Sequence, residues 1–217
     1  MSEAAHPAVA HQFDDAEQQR EASSLGMWLF LLTEIMFFGG MFTGYTVYRL
    51  KYPQAFVDGS RELNIWLGGL NTGVLIASSL TMALAVHAAQ MGKRKAIIGF
   101  LLLTFVLGGV FLGVKAVEYA DKFHHHHVPG PDFSYDRLKH HETQLFFSFY
   151  FAMTGMHALH MVIGMGLMGV LMWMAQKGRF TAEYYSPVEM GGLYWHFVDI
   201  VWIFLFPLLY LIGRHGT

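Results

Sequence analysis

The sequence predicts an all-α fold, an integral membrane bundle of five transmembrane helices. Charged residues make up 14% of the chain, whereas soluble domains carry about 25%. Hydrophobic residues make up 54%, with 14 Met and 19 Phe among the 217 residues. Several stretches are apolar over the length needed to cross a bilayer. Because each backbone polar group in lipid must be satisfied within its own segment, these stretches are predicted to be helices.

The spans follow from the thickness of the hydrocarbon core, which takes about 20 helical residues to cross. They are predicted at about 26–48, 63–89, 96–118, 143–174 and 192–213. Together they form a single transmembrane domain over 25–217, after a polar N-terminal tail at 1–24 that we expect to be mobile. A His-rich loop at 119–142, interpreted as solvated with incidental metal affinity, joins the third and fourth spans.

Glycine pairs four residues apart occur in three spans. They are Gly40 and Gly44, Gly69 and Gly73, and Gly109 and Gly113. Such GxxxG pairs let helix backbones approach closely in lipid. Glycine is also frequent in membrane helices in general, so one pair decides nothing, but the three together predict a compact bundle.

Composition excludes several classes of protein. The chain has no cysteine, which excludes disulfides and thiolate metal sites. Its net charge of −2 gives no indication of nucleic-acid binding. The N-terminus lacks the residue order of a signal peptide, so we expect it to remain on the protein. Lys and Arg divide almost evenly between the two sides of the predicted bundle, and the cluster at 93–95 favours a cytoplasmic N-terminus.

Glu34 lies in the middle of the apolar run LFLLTEIMFF at 29–38. Ionisable side chains within a bilayer are costly, so they normally face protein or water. Two interpretations are open. Glu34 carries or relays a proton, or it is a neutral acid that hydrogen-bonds a neighbouring helix.

Two further polar pairs lie inside spans, each with a three-residue spacing that puts both side chains on one helix face. His196 and Asp199, in YWHFVD, are expected to hydrogen-bond each other and to hold helices together. His157 and His160, in HALH, are expected to be satisfied by hydrogen bonds. A metal or haem site there would need further ligands at the same depth.

The partner of Glu34 depends on depth. If the spans alternate in direction, the first and fifth enter from the same side. At 1.5 Å per residue Glu34 and Asp199 then both lie roughly 10–12 Å deep, and His160 roughly 20 Å deep. Glu34 could meet Asp199, reach towards His160, or face lipid or another subunit, and the sequence leaves these alternatives open.

Four motifs occur in order along four of the predicted spans. They are TEIMFF (33–38), LNTGVLIASS (70–79), GMHALHMVIG (155–164) and YWHFVDIVWIFLF (194–206). Together they resemble subunit III of the haem-copper terminal oxidases, and VEY at 117–119 also fits. The resemblance covers roughly 25–213, and it is specific because the motifs fall in four different spans.

The resemblance implies a non-catalytic integral membrane subunit of a respiratory haem-copper oxidase, an oxidoreductase complex of the cytochrome c oxidase type, with a quinol oxidase as the alternative. Such a chain carries no redox centre. It packs on catalytic subunit I, which holds haem and copper, and supports that subunit's stability and proton uptake. Subunit II, other small subunits, membrane lipid and a larger respiratory supercomplex are further implied partners. The implied location is a bacterial-type inner membrane.

Residue by residue, the resemblance puts Glu34 on the family's carbodiimide-reactive carboxylate. It puts His157 and His160 on the family's paired histidines, and His196 and Asp199 on its signature His and Asp. We expect all four to handle protons or to stabilise the fold. No catalytic residue and no metal ligand is expected in this chain.

A lipid site is implied by the loop before the last span. Arg179, Phe180 and Thr181 fall near positions that contact a phospholipid head group in longer relatives, and a cationic side chain there can pair with phosphate. The sequence begins at what corresponds to the third helix of those relatives, so half of their lipid cleft is expected to be absent. Tyr184 and Tyr185 stand where many relatives have a His pair.

Two other classes remain open on the residues alone. A self-contained proton or ion transporter would use Glu34, although the sequence has no internal repeat of the kind that many transporters have. A metal- or haem-binding membrane protein would use the histidines.

Overall fold

A computed structural model describes residues 12–125, 127–130, 133 and 141–214. In these residues the chain forms six α-helices: α1 (Ala16–Lys51), α2 (Pro53–Arg61), α3 (Ile65–Gln90), α4 (Arg94–His124), α5 (Thr143–Gln176) and α6 (Ser186–Phe206). A π-helical turn, Pro207–Leu211, and a short 3₁₀ turn, Ile212–Arg214, continue α6. All but α2 are long and apolar enough to cross a membrane. The predicted bundle of five transmembrane helices is confirmed.

Helix α1 begins ten residues before the predicted span. The Asp15 side chain caps it by accepting a hydrogen bond from the backbone N–H of Gln18 at 2.7 Å. Further along the first turns, the Arg20 guanidinium lies 3.6 Å from the Glu189 carboxylate and over the Tyr185 ring, both at the start of α6. The last residues of the expected polar tail are therefore helical. The prediction of the first span used apolar composition alone, whereas the first turns of α1 are stabilised by the Asp15 cap and by contacts with α6.

Helix α2 was not predicted, because it is short and lies outside the apolar stretches. Pro53 occupies its first turn, where a missing N–H is tolerated. Phe56 lies edge-on between the rings of Tyr45 and Phe146. The α2 segment thus covers the end of the bundle opposite the N-terminus.

Two regions show that the helices alternate in direction. A Cβ at Gly92, before α4, would lie 3.6 Å from the backbone nitrogen of Ala182, before α6. At the opposite end, the Lys122 ammonium of α4 donates to the backbone carbonyl of Glu62 at 2.7 Å. The connections α3–α4 and α5–α6 therefore lie together on one side, with the start of α1.

Helix α6 lies at the centre, in contact with α1, α3 and α5. Its Trp195 is fully buried and donates its N–H to the Ser78 hydroxyl at 3.0 Å. A Cβ at Gly108 of α4 or at Gly164 of α5 would lie 2.9 Å from the Trp195 ring. These two glycines, and not the GxxxG pairs, allow the closest helix contacts around this indole.

Most of the GxxxG positions do not lie at helix contacts within the described residues. A Cβ at Gly44 would lie 3.3 Å from the Phe149 ring of α5, and one at Gly109 would lie 3.8 Å from Met165. At the other four positions no described atom would lie within 4 Å of an added Cβ: Gly40, Gly69, Gly73 and Gly113. Spacing shows that two small residues share a helix face, but it does not show that another helix covers this face.

We expect Gly164→Ala to lower the thermal stability of the detergent-solubilised chain, because the new methyl group would press on a buried indole. Overpacking of this kind costs about 1–3 kcal/mol. Gly73→Ala is the matched control, since the space around it is open, and its midpoint should be unchanged or slightly higher. Equal midpoints for both variants would contradict the packing around Trp195.

Candidate functional site

Glu34 pairs with His160, across the contact between α1 and α5. Its Oε2 lies 3.0 Å from Nε2 of His160, and the side chains are 20% and 10% exposed. The depth estimate had put Glu34 level with Asp199 and well above His160. Because α1 begins at Ala16 and α5 ends at Gln176, Glu34 and His160 lie at nearly equal distances from these helix ends, roughly 25 Å.

Apolar residues enclose the inner side of this pair. Leu31 and Phe38, one helical turn before and after Glu34, are buried, and the Phe38 ring lies 5.2 Å from the His160 imidazole. On the next helix, the Tyr194 hydroxyl donates to the backbone carbonyl of His160 at 3.1 Å. The pair is therefore held in place from within the bundle and partly open on its outer side.

The other nitrogen of His160 fixes its tautomer. Nδ1 lies 2.8 Å from the backbone carbonyl of Met156. A carbonyl oxygen only accepts, so Nδ1 carries a hydrogen. The contact between Nε2 and Glu34 then requires one proton, borne either by the carboxyl group or by the imidazole. The geometry therefore describes one hydrogen bond, with one proton between the carboxyl group and the imidazole.

His157 does not join this pair, although it shares the helix face with His160. It is fully buried between the rings of Phe111 and Trp202, at 5.4 and 5.2 Å. Neither ring nitrogen has a hydrogen-bond partner among the described residues, contrary to the expectation of a satisfied histidine. Among all the residues that the structure describes, no three His, Asp or Glu side chains lie close enough together to hold a metal ion.

His196 and Asp199 do not form the mutual hydrogen bond that their spacing predicted. Nδ1 of His196 lies 2.7 Å from the Ser79 hydroxyl of α3. Neither carboxylate oxygen of Asp199 has a hydrogen-bond partner among the described residues. A shared helix face brings two side chains near each other, but here the neighbouring helix offers His196 a better-placed partner.

A buried ionic cluster near the end of α4 was missed. The Lys115 ammonium donates to Oε2 of Glu118 and to the hydroxyls of Tyr150 and Tyr210, at 3.1, 3.1 and 3.0 Å. Both hydroxyls donate in turn to Oε1 of Glu118. Lys115 and Glu118 are 4% and 2% exposed. Every donor and acceptor in this cluster has a partner, which is the condition under which a buried ion pair is tolerated.

The sequence indicated part of this ionic cluster. A Lys and a Glu three residues apart share a helix face, but the third span was predicted to end at 118, so neither residue was expected to be buried in the bundle. In the structure α4 continues to His124. The predicted loop therefore begins later, and part of it, including His126 and residues 134–140, lies outside the described residues.

The residues of the implied lipid site lie in the turn between α5 and α6. Arg179 is exposed, and Phe180 is buried. The Thr181 hydroxyl accepts a hydrogen bond from the backbone N–H of Tyr184 at 3.1 Å. The exposed guanidinium leaves phosphate pairing geometrically open, and lipid binding here stays a prediction.

Comparison with known proteins gives consistent matches over most of the chain. The family model described as cytochrome c oxidase subunit III matches residues 10–214. Cytochrome c oxidase subunit 3 of Thermostichus vulcanus is 31% identical, over 93% of this chain and 92% of that protein. Cytochrome bo(3) ubiquinol oxidase subunit 3 of Pseudomonas aeruginosa is also 31% identical, over 94% and 92%. The chicken (Gallus gallus) cytochrome c oxidase subunit 3 is 33% identical, over 87% of this chain and 69% of its own length.

We expect Glu118→Gln to destabilise the detergent-solubilised chain strongly, because it leaves the Lys115 charge buried without its counter-ion. Breaking a buried pair in this way costs roughly 3–5 kcal/mol. The double variant Lys115→Met/Glu118→Gln should lose less than Glu118→Gln alone, since it removes the stranded charge. Thermal unfolding measures both, and a double variant less stable than Glu118→Gln would argue against the ion pair.

Proposed function

Because the chain belongs to the cytochrome c oxidase subunit III family, whose members are subunits of haem-copper oxidases, we propose that it packs on catalytic subunit I and supports proton uptake through Glu34 and His160. Haem and copper are held by that partner, and subunit II completes the core of the complex. The present chain contributes binding surface and a protonatable pair, and no redox chemistry.

The observation that carries this proposal is the contact between Glu34 and His160, which joins two residues 126 positions apart. This hydrogen bond to α5 is what the structural interpretation of Glu34 requires, so on its own it does not distinguish that interpretation from a role in proton transfer. The outer side of Glu34 supports the further step, because its side chain is 20% exposed whereas that of His160 is only 10% exposed. We propose that a proton enters or leaves the pair on this outer side of Glu34, where a partner subunit or water reaches it.

The electron donor is oxidised at other subunits, so this chain constrains it weakly. The motifs TEIMFF and YWHFVDIVW favour a cytochrome c oxidase. However, the chain is 31% identical both to a cytochrome c oxidase subunit 3 and to a ubiquinol oxidase subunit 3. The proposal therefore covers both kinds of oxidase. The co-purifying subunits and their haem spectrum distinguish them.

For the membrane, we propose the inner membrane of a bacterial-type cell, with the N-terminus in the cytoplasm. The exposed cluster at 93–95 lies on the same side of the bundle as the start of α1. Positive residues in short connections favour the cytoplasmic side. A reporter fused to the N-terminus tests this orientation.

We expect Glu34→Gln to leave assembly of the oxidase largely intact, because the amide can still hydrogen-bond to Nε2 of His160. Proton uptake should slow severalfold, or activity should be lost faster during turnover, since the amide cannot take up a proton. Both are measured on the purified oxidase in vesicles. Glu17→Gln, on the same helix but exposed, is the matched control.

Three results would contradict this proposal. Failure of the Glu34→Gln chain to assemble would favour a purely structural role for Glu34. If the chain reconstituted alone conducted protons, and Glu34→Gln abolished this conduction, a self-contained proton transporter would be favoured. Metal or haem in the isolated chain, found by elemental analysis and a visible spectrum, would favour a metal- or haem-binding membrane protein.

A further inference from the structure

A groove of about 390 Å³ opens between α3 and α6, away from the contact between Glu34 and His160. Three of its polar residues lie at one level, Ser79, His196 and Asp199, and Thr72 lies about two turns away along α3. Apolar side chains with about half or more of their surface exposed form its rims: Ile76, Leu80, Ile200 and Ile203. A concave apolar groove with a polar centre has the shape and chemistry that membrane helices use to pack.

Asp199 is the unusual member of this groove. It is 4% exposed, yet neither of its oxygens has a hydrogen-bond partner among the described residues. The neighbouring Ser79 hydroxyl is within hydrogen-bond distance of His196. Even if this hydroxyl turned to Asp199, it would donate one hydrogen bond to a group that can accept several. A buried acid without donors is costly in a bilayer, so a donor from outside the chain is expected.

We infer that a transmembrane helix of the partner oxidase subunit lies in this groove and donates a hydrogen bond from a polar side chain to Asp199. The inference rests on the proposed function for the existence of that partner. It goes further by naming the surface and the residue that recognise it.

Other occupants fit less well. A lipid acyl chain fills apolar space but has no hydrogen-bond donor. A second copy of the chain would bring two concave surfaces together about a two-fold axis, which leaves both grooves unfilled. A helix with an N–H or O–H donor at the level of Asp199 satisfies the shape and the chemistry together.

The surface is tested by photo-crosslinking in the intact oxidase in its native membrane. Benzoylphenylalanine replaces Leu80 or Ile203 at the rims and, as a matched control, Leu102, an exposed residue of α4. Illumination should join the rim positions, more than the control position, to another oxidase subunit. Adducts only with lipid, or only with a second copy of the chain, would overturn the inference.

The role of Asp199 is tested with Asp199→Leu, which should reduce the recovery of co-purified partner roughly tenfold, the equivalent of one charge-assisted hydrogen bond. The isolated chain in detergent should unfold at the same temperature or higher, because within it Asp199 has at most one hydrogen bond to lose, to the Ser79 hydroxyl, which also lies within hydrogen-bond distance of His196. A lower unfolding temperature with normal partner recovery would assign Asp199 a role within the chain.

The two proposals fail in different ways. If the wild-type chain brings down no haem-copper subunit, the proposed function is wrong, and the inference falls with it. If the wild-type complex is intact but the rim positions give no subunit adduct and Asp199→Leu retains the partner, only the inference is wrong.

Ala83→Trp, which fills the groove from α3, should also reduce partner recovery, and normal recovery would count against the inference.

Discussion

The structure depends most on one buried side chain, Trp195 of α6, which contacts three other helices. Gly108 of α4 and Gly164 of α5 bring those helices close to its ring, and Ser78 of α3 accepts its N–H. A buried Trp needs both a large apolar surface and one acceptor, and the three helices supply them together. With α6 held at the centre, its polar residue Asp199 is fixed at the level where α3 and α6 part to form the groove.

The polar groups inside the bundle differ in how completely the chain satisfies them, and this difference separates their roles. In a bilayer, water is absent, so an unsatisfied group must find its partner in protein. The cluster of Lys115 and Glu118 is closed and needs nothing from outside. Glu34 and His160 share one proton and are partly open. Asp199 has no donor among the described residues. This order of increasing incompleteness matches the roles proposed for the three groups: structure for Lys115 and Glu118, proton exchange for Glu34 and His160, and partner binding for Asp199.

Hydropathy predicted the five spans because length and apolar composition are local properties, and four motifs predicted the family. Features that depend on neighbouring helices were not predicted. The depth of Glu34 was counted from residue 26, because the first ten residues of α1, which begins at Ala16, are mostly polar and were not recognised as part of the helix. Glycine spacing could not show which faces pack. The spacing of Lys115 and Glu118 was visible, but their tyrosine partners come from 35 and 95 residues away from Lys115.

The proton count of the Glu34 pair argues for an accessory role. With a hydrogen fixed on Nδ1 of His160 by the Met156 carbonyl, one proton lies between the two side chains, and the pair is neutral whichever atom bears it. Removing this proton leaves a negative charge, and adding a second leaves a positive one. Both are disfavoured within a bilayer. The proton can leave only as another arrives, or where water or a neighbouring subunit stabilises the charge. A site with this constraint suits exchange with a partner's proton path better than conduction by one chain alone.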